Sequence, residues 1–252
     1  MKDATQVRNI TQAMMVFANS NKDVFPLPSV LDADNATIAA DRTGADAKNT
    51  QSNILSVLVY NNFISTELLV SPQEVSSSIK VCDTYASTNP SVAANPAKAL
   101  WDPSLSVDFT STKPNTPGHT SYAMMAPDDV RRAAGKYGNT FSATEPLIGN
   151  RGPEITGLRA DGSPILNNPG TNTFLIHGSR RTWEGNIAYN DGHVNTETRY
   201  DPVEVTYKNA AGKNITDNLF FDEPDDPSGL NAFLTVFPKA GTTKAEFKRI
   251  WD

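Results

Sequence analysis

Apolar positions in the first twenty residues recur at helical spacing. Val7, Ile10, Met14 and Phe17 fall on one face with Ala13 beside them, and the remainder is polar. That pattern predicts a surface helix over residues 3–21 with one buried stripe. Asn19-Ser20-Asn21 ends it, and Phe25-Pro26-Leu27-Pro28 enforces an extended exit. Residues 52–64 form a second helical pattern, with Ile54, Leu55 and Leu58 inward. In Ser71-Pro72-Gln73-Glu74, Ser can cap, Pro sits at the first helical position and Glu can close a capping box, so a short helix is expected there. Strand-like runs follow at 79–82, 120–125, 146–149, 203–207 and 233–237. Thr243-Lys244-Ala245-Glu246 repeats the capping-box pattern and predicts a short terminal helix burying Phe247, Ile250 and Trp251. Residues 30–49 and 87–118 are polar and read as long loops.

The densest pattern runs over residues 174–195. Two apolar-rich runs, 173–176 and 186–189, flank a polar connection, and Asp191-Gly192 then joins the second run to His193-Val194-Asn195-Thr196. Asp-Gly between strand-like runs is a strong hairpin signal, because the favoured two-residue turn needs positive φ at both positions. The hairpin places Asp191 and His193 at one turn, with His177 expected nearby on a neighbouring strand. Two of the three histidines of the chain gather here, which makes the region either a site or a structural corner.

With 252 residues the chain is long enough for a sizeable core, and no linker or internal repeat divides it. We read a single domain over 1–252: the first helix at 1–22, a helix-loop-strand region at 23–172, and a C-terminal sheet, acidic loop and terminal helix at 173–252. Helices first and an antiparallel sheet afterwards give the α+β class. A net charge of −6 argues against nucleic acid and anionic lipid as partners, and Arg131-Arg132 and Arg180-Arg181 are too short to change that. Cys82 is the one cysteine, so no internal disulfide can form. No run is long and apolar enough to span a bilayer, and no signal peptide opens the sequence.

The order of these segments resembles the prepilin-type, pseudopilin-like proteins of type II secretion and type IV pilus systems. It is most similar to the bacterial group with a C-terminal His followed at a distance by Asp-Gly. Residues 6–26 resemble the exposed half of the pilin helix, and 53–72 and 79–82 resemble the next helix and a short strand. The likeness continues through 120–124, 145–151 and His177…Asp191-Gly192-His193-Val194, and stops near residue 195. The His to Asp-Gly spacing is longer than the family's usual one, as though 179–184 were inserted, and Asp83 rather than Pro follows Cys82. The family's cleavage motif and apolar half-helix are not in this sequence. The resemblance therefore implies a piece of an exported, extracytoplasmic chain, anchored in the inner membrane at full length. Its expected fold is a pilin-like helix packed on an antiparallel sheet with long loops. Its expected partners are other pilin-like subunits and the secretion or assembly machinery, with a structural rather than an enzymatic role.

Beside that expectation stand several constellations. His177, Asp191 and His193 could supply three ligands to zinc or another transition metal, which would make the chain an extracytoplasmic binding module or a metal-dependent hydrolase. Against this, Asp191-Gly192 is already fully explained as a turn, and His177 can bond the hairpin backbone. Asp222, Glu223, Asp225 and Asp226 lie between two prolines and offer hard oxygen donors to calcium. Major pseudopilins have a calcium-stabilised loop near the C-terminus, but an ordinary solvated acidic loop explains the same residues. Asp32, Asp34 and Asp41 lack the required glycine of a calcium loop and are set aside. Ser179 with His177 and Asp191 has no nucleophile elbow around it. Cys82 with His119 is weaker than a buried structural cysteine. Trp101, Trp183, Tyr122 and Tyr189 could line a binding face, but such scattered aromatics are more simply core. A third reading, a cytosolic protein unrelated to pilins, would require Met1 to be the natural start.

Overall fold

The computed structural model describes residues 1–40, 43–113, 116–179 and 181–252. Asp41 and Arg180 lie outside the described residues. Helix α1 spans Lys2–Asn19, followed by the short α2 at Pro28–Leu31 and by α3 at Gln51–Tyr60. After a long irregular stretch come β1 (Tyr122–Met125), α4 (Asp129–Ala133), β2 (Pro146–Asn150), β3 (Ile155–Leu158) and β4 (Pro164–Leu166). The one-turn α5 (Phe174–His177) precedes β5 (Gly185–Tyr189), β6 (Val194–Glu197), β7 (Thr206–Lys208), β8 (Asn214–Thr216), β9 (Leu234–Lys239) and β10 (Lys248–Ile250). The class is α+β.

A six-stranded antiparallel sheet in the order β10-β9-β1-β2-β5-β6 carries the core, and β3-β4 and β7-β8 are separate hairpins. Residues of β1, β2 and β5 are buried without alternation, so both faces of the sheet centre are covered. The outer strand β6 is partly exposed.

Helix α1 buries Val7, Ile10, Met14 and Phe17, together with Ala13 and Ala18, and lies against β5, β2 and β6. Its outer side is a narrow stripe of Thr5, Arg8, Gln12 and Val16. The helix ends where Asn21 folds its side-chain amide back onto the Phe17 carbonyl (2.7 Å), and Lys22 and Asp23 enter the left-handed region. Helix α3 starts at Thr50, whose hydroxyl accepts from Asn53 N at 3.2 Å. It is buried almost all round, so it belongs to the interior rather than to the surface.

Gln51 ties α3 into the sheet. Its Nε2 donates to the Tyr122 carbonyl at 2.7 Å and its Oε1 accepts from Phe237 N at 3.2 Å. One side-chain amide thus joins backbone groups of neighbouring strands β1 and β9, beyond the pairs Met124–Thr235 and Met125–Leu234.

Several expectations need correction. Residues 173–176 form no strand, since Phe174–His177 is a single helical turn that buries Phe174 and Ile176. Ser71-Pro72-Gln73-Glu74 opens no helix, because Glu74 accepts from Ser76 N and its carboxylate is engaged by the buried Arg151. The 79–82 run makes one bridge, Ile79 to Gly118, instead of a strand. The capping box of Thr243 and Glu246 is present, yet it closes only a 3-10 turn at Lys244–Glu246. The next residues pair with β9 as β10, because an isolated turn is a costly nucleus and the ladder offers each residue a partner at once. The loops 30–49 and 87–118 contain 3-10 turns at Ala45–Lys48 and Pro96–Lys98.

Candidate functional site

A buried polar cluster forms around Asp3, in the first turn of α1. Asp3 Oδ2 accepts from His177 Nε2 at 2.9 Å and from Asn186 Nδ2 at 2.7 Å, and Oδ1 accepts from the Tyr122 hydroxyl at 2.9 Å. A carboxylate can only accept, so the His177 proton sits on Nε2. The Asn186 oxygen in turn accepts from Thr196 Oγ1 at 2.8 Å, across the β5–β6 register. The Asp3 residue is fully buried. Burial alone would raise its pKa, but hydrogen bonds from His177, Ser71, Asn186 and Tyr122 prevail and hold it at about 2. Its place in the first helical turn adds the favourable end of the helix dipole. Burial, and then the charge of Asp3, push the Tyr122 phenol far upward, so Tyr122 serves as a neutral donor.

The Asp191-Gly192-His193 corner lies at the other end of β5. Gly192 has φ +87° and donates its N–H to the Tyr189 carbonyl at 2.9 Å, while Tyr189 N reaches the His193 carbonyl at 3.0 Å. Asp191 Oδ1 accepts from His193 N at 3.0 Å and meets His193 Nδ1 at 2.5 Å. Burial opposes ionisation of Asp191, but these bonds outweigh it and lower the pKa. The His193 ring stacks on Tyr189 with centroids 4.5 Å apart. This is turn chemistry, but not the two-residue turn expected: the bond from Gly192 to Tyr189 puts Asn190 and Asp191 at its centre, and of the Asp-Gly pair only Gly192 takes positive φ.

His177 and the Asp191–His193 pair do not meet. His177 reaches α1 at Asp3, whereas Gly192 faces Met15, close enough that an added Cβ would lie 3.5 Å from its Sδ. Asp3 and Met15 stand twelve residues apart on one helix, about 18 Å at about 1.5 Å per residue. The three candidate ligands are therefore divided between the two ends of α1, and a metal ion bound by all three has no place. Among the described residues no group of three or more His, Cys, Asp or Glu side chains could hold a metal ion.

The acidic loop is divided as well. Asp222 pairs with Lys244, Asp225 accepts from the Tyr207 hydroxyl at 2.6 Å, and Asp226 accepts from Ser228 N at 2.8 Å and Asn231 N at 2.7 Å. Glu223 turns inward and is buried. Each acid thus has its own partner, and no shared calcium cage forms from the four.

The remaining candidates also resolve. Ser179 bonds Thr182 at 2.8 Å on the surface and makes no hydrogen bond to His177. Trp101, Trp183, Tyr122 and Tyr189 are all buried in the core, so they line no exposed binding face. Cys82 is buried, and burial raises its thiol pKa, as it lowers that of His119.

Comparison with known protein families, with characterised proteins and with solved structures returned no match.

Asp3, Asn186 and Gln51 were not foreseen as key residues. For Asp3 a signal did exist: it continues the stripe of Val7, Ile10, Met14 and Phe17 at helical spacing, and a carboxylate on an apolar face needs buried donors. Asn186 and Gln51 carry no comparable sign, since their partners lie in distant segments.

Proposed function

We propose that this chain is the extracytoplasmic part of a pilin-like or pseudopilin-like filament subunit, with a structural role and no chemistry of its own. The observation that carries the reading is α1 itself. It lies along β5, its apolar stripe on the sheet, with its first turn locked by Asp3 to His177, Asn186 and Tyr122. A helix held this way is a rigid stem, suited to transmit load between a filament core and the globular sheet. His177 and Asp191-Gly192 serve that stem by engaging its two ends, which gives the His…Asp-Gly pattern a structural rationale. In this reading the stem continues into an apolar segment that anchors the chain in the inner membrane before assembly. Other copies and the assembly machinery are then its partners.

The test is to produce the complete gene product in a host with a prepilin peptidase and determine the mature N-terminus by mass spectrometry. A cleaved, N-methylated terminus in the envelope fraction is expected. An unprocessed chain in the cytosol would exclude the reading.

A further inference from the structure

Two buried carboxyl groups outside the α1 anchor face one another where the β8–β9 connection begins. Asp217 is 2% exposed and Glu223 is 5% exposed. Neighbouring residues hold both groups. Ala232 N donates to Asp217 Oδ2 at 2.6 Å, Asn231 Nδ2 donates to Glu223 Oε2 at 2.8 Å, and Asn218 N donates to Glu223 Oε1 at 3.1 Å. Asp217 Oδ1 is buried and receives no hydrogen bond from any N–H or hydroxyl. Glu223 lies beside it: Glu223 Oε1 is held at the backbone of Asn218, the residue after Asp217, and Glu223 Oε2 at Asn231, the residue before the Ala232 that holds Asp217 Oδ2. As two carboxylates neither could donate, and two like charges would press together in a buried site.

We propose that Asp217 and Glu223 share one proton, and that this proton is a clasp that ties the connection of residues 217–232 to itself, its first residues to one another and, through Asn231 and Ala232, to its end before β9.

The surrounding charges leave this role open to a proton. Asp226, on the same connection, is a further negative charge that disfavours ionisation of Asp217. Asp222 and Asp225 are engaged by Lys244 and by the Tyr207 hydroxyl. Arg131 is paired with Asp128 and donates to the Asn231 carbonyl, and Arg249 donates to the Lys244 carbonyl. Lys136 and Glu145, which line a cavity of about 120 Å³ together with Asp217, pair with each other at 3.7 Å. Among the described residues no salt bridge reaches Asp217 or Glu223. Calcium fits poorly, since it needs about six to eight oxygens, and three of these four already accept from N–H groups.

Burial raises both carboxyl pKa values, and the charge of Asp217 raises that of Glu223 further. A raised folded-state value means that the contribution is complete below the ordinary carboxylate range and is lost as pH rises through the raised values. The clasp is therefore closed in acid and weakens in alkali. It holds Leu219 and Phe220, both fully buried, with Phe220 against Trp183 (ring centroids 4.8 Å) and the Leu219 carbonyl accepting from Leu234 N at 2.8 Å. Loss of the proton releases these residues from the start of β9.

Thermal melts between about pH 5 and about pH 9 test this against Asp217→Asn. In that variant the amide nitrogen takes the place of Oδ1 and donates to Glu223, while the amide oxygen still accepts from Ala232 N. The wild-type midpoint is expected to fall across the range, and Asp217→Asn to lose most of that fall. An unchanged slope in Asp217→Asn would overturn the proposal. So would calcium raising the wild-type midpoint but not that of the variant, since a cation would then be filling the gap. Carboxyl carbon NMR of the wild type decides independently of how the variant folds. A glutamate and an aspartate that report one common protonation step above the usual carboxylate range support the clasp, and ordinary titration of every carboxyl overturns it.

Discussion

His177 Nε2 meets Asp3 Oδ2 at 2.9 Å, joining the first turn of α1 to the last residue of α5 across 174 positions of sequence. Because Asn186 Nδ2 reaches the same oxygen at 2.7 Å, strand β5 is held by the carboxylate as well. Three elements thus depend on one buried charge, and that charge is matched by donors rather than by water.

Asp3 should make stability fall in strong acid. Its folded pKa is held at about 2, against an ordinary value of 3.8. The stabilisation is therefore present above the ordinary value and is lost as pH falls through about 2, a contribution on the order of 2 kcal/mol. Urea unfolding at several pH values should show this loss in the wild type and not in Asp3→Asn. An equal acid slope in both proteins would contradict the assignment.

Gln51→Leu should cost about 2–4 kcal/mol. The substitution preserves bulk but strips partners from the Tyr122 carbonyl and Phe237 N, both inside the sheet. Chemical denaturation gives the number, and amide hydrogen exchange should locate the loosening at Phe237. A cost below about 0.5 kcal/mol would mean that the two strands close the gap themselves.

Gly192→Ala should cost about 1–2 kcal/mol through backbone strain alone. Gly192 sits at φ +87°, while the added methyl would meet Met15 Sδ only at ordinary contact distance, 3.5 Å. Gly192→Asn, which tolerates the left-handed region better, should cost less than Gly192→Ala in the same denaturation experiment. The reverse order would mean that crowding, not φ, controls this turn.

Much of the scaffold was legible because it follows local periodicity. The Val7-Ile10-Met14-Phe17 stripe is the buried face of α1, and the runs at 120–125, 146–149 and 233–237 contain β1 and most of β2 and β9. The glycine of Asp191-Gly192 marks the turn, but only Gly192 takes positive φ and the loop is one residue longer than the pair implies. What could not be read depends on distant partners. Glu74 looks like a capping residue until Arg151 takes it, and residues 248–250 look helical until β9 offers a ladder. The β3–β4 hairpin and α4 were missed as well. Sequence proximity groups His177 with Asp191 and His193, but α1 separates them. Residues near one another along the chain can lie at opposite ends of a strand.

The most direct test of the α1 anchor is a double-mutant cycle on Asp3→Ala and His177→Ala, read by urea unfolding at neutral pH. Asp3→Ala should cost about 3 kcal/mol, since His177, Asn186 and Tyr122 lose their shared acceptor and only the Tyr122 hydroxyl keeps another, Gln6 Oε1 at 3.1 Å. His177→Ala should cost less, because Asn186 and Tyr122 still hold the carboxylate. The two effects should fail to add, with a coupling of about 1 kcal/mol or more. A coupling indistinguishable from zero, with both single variants near wild-type stability, would contradict the account and free His177 for another role.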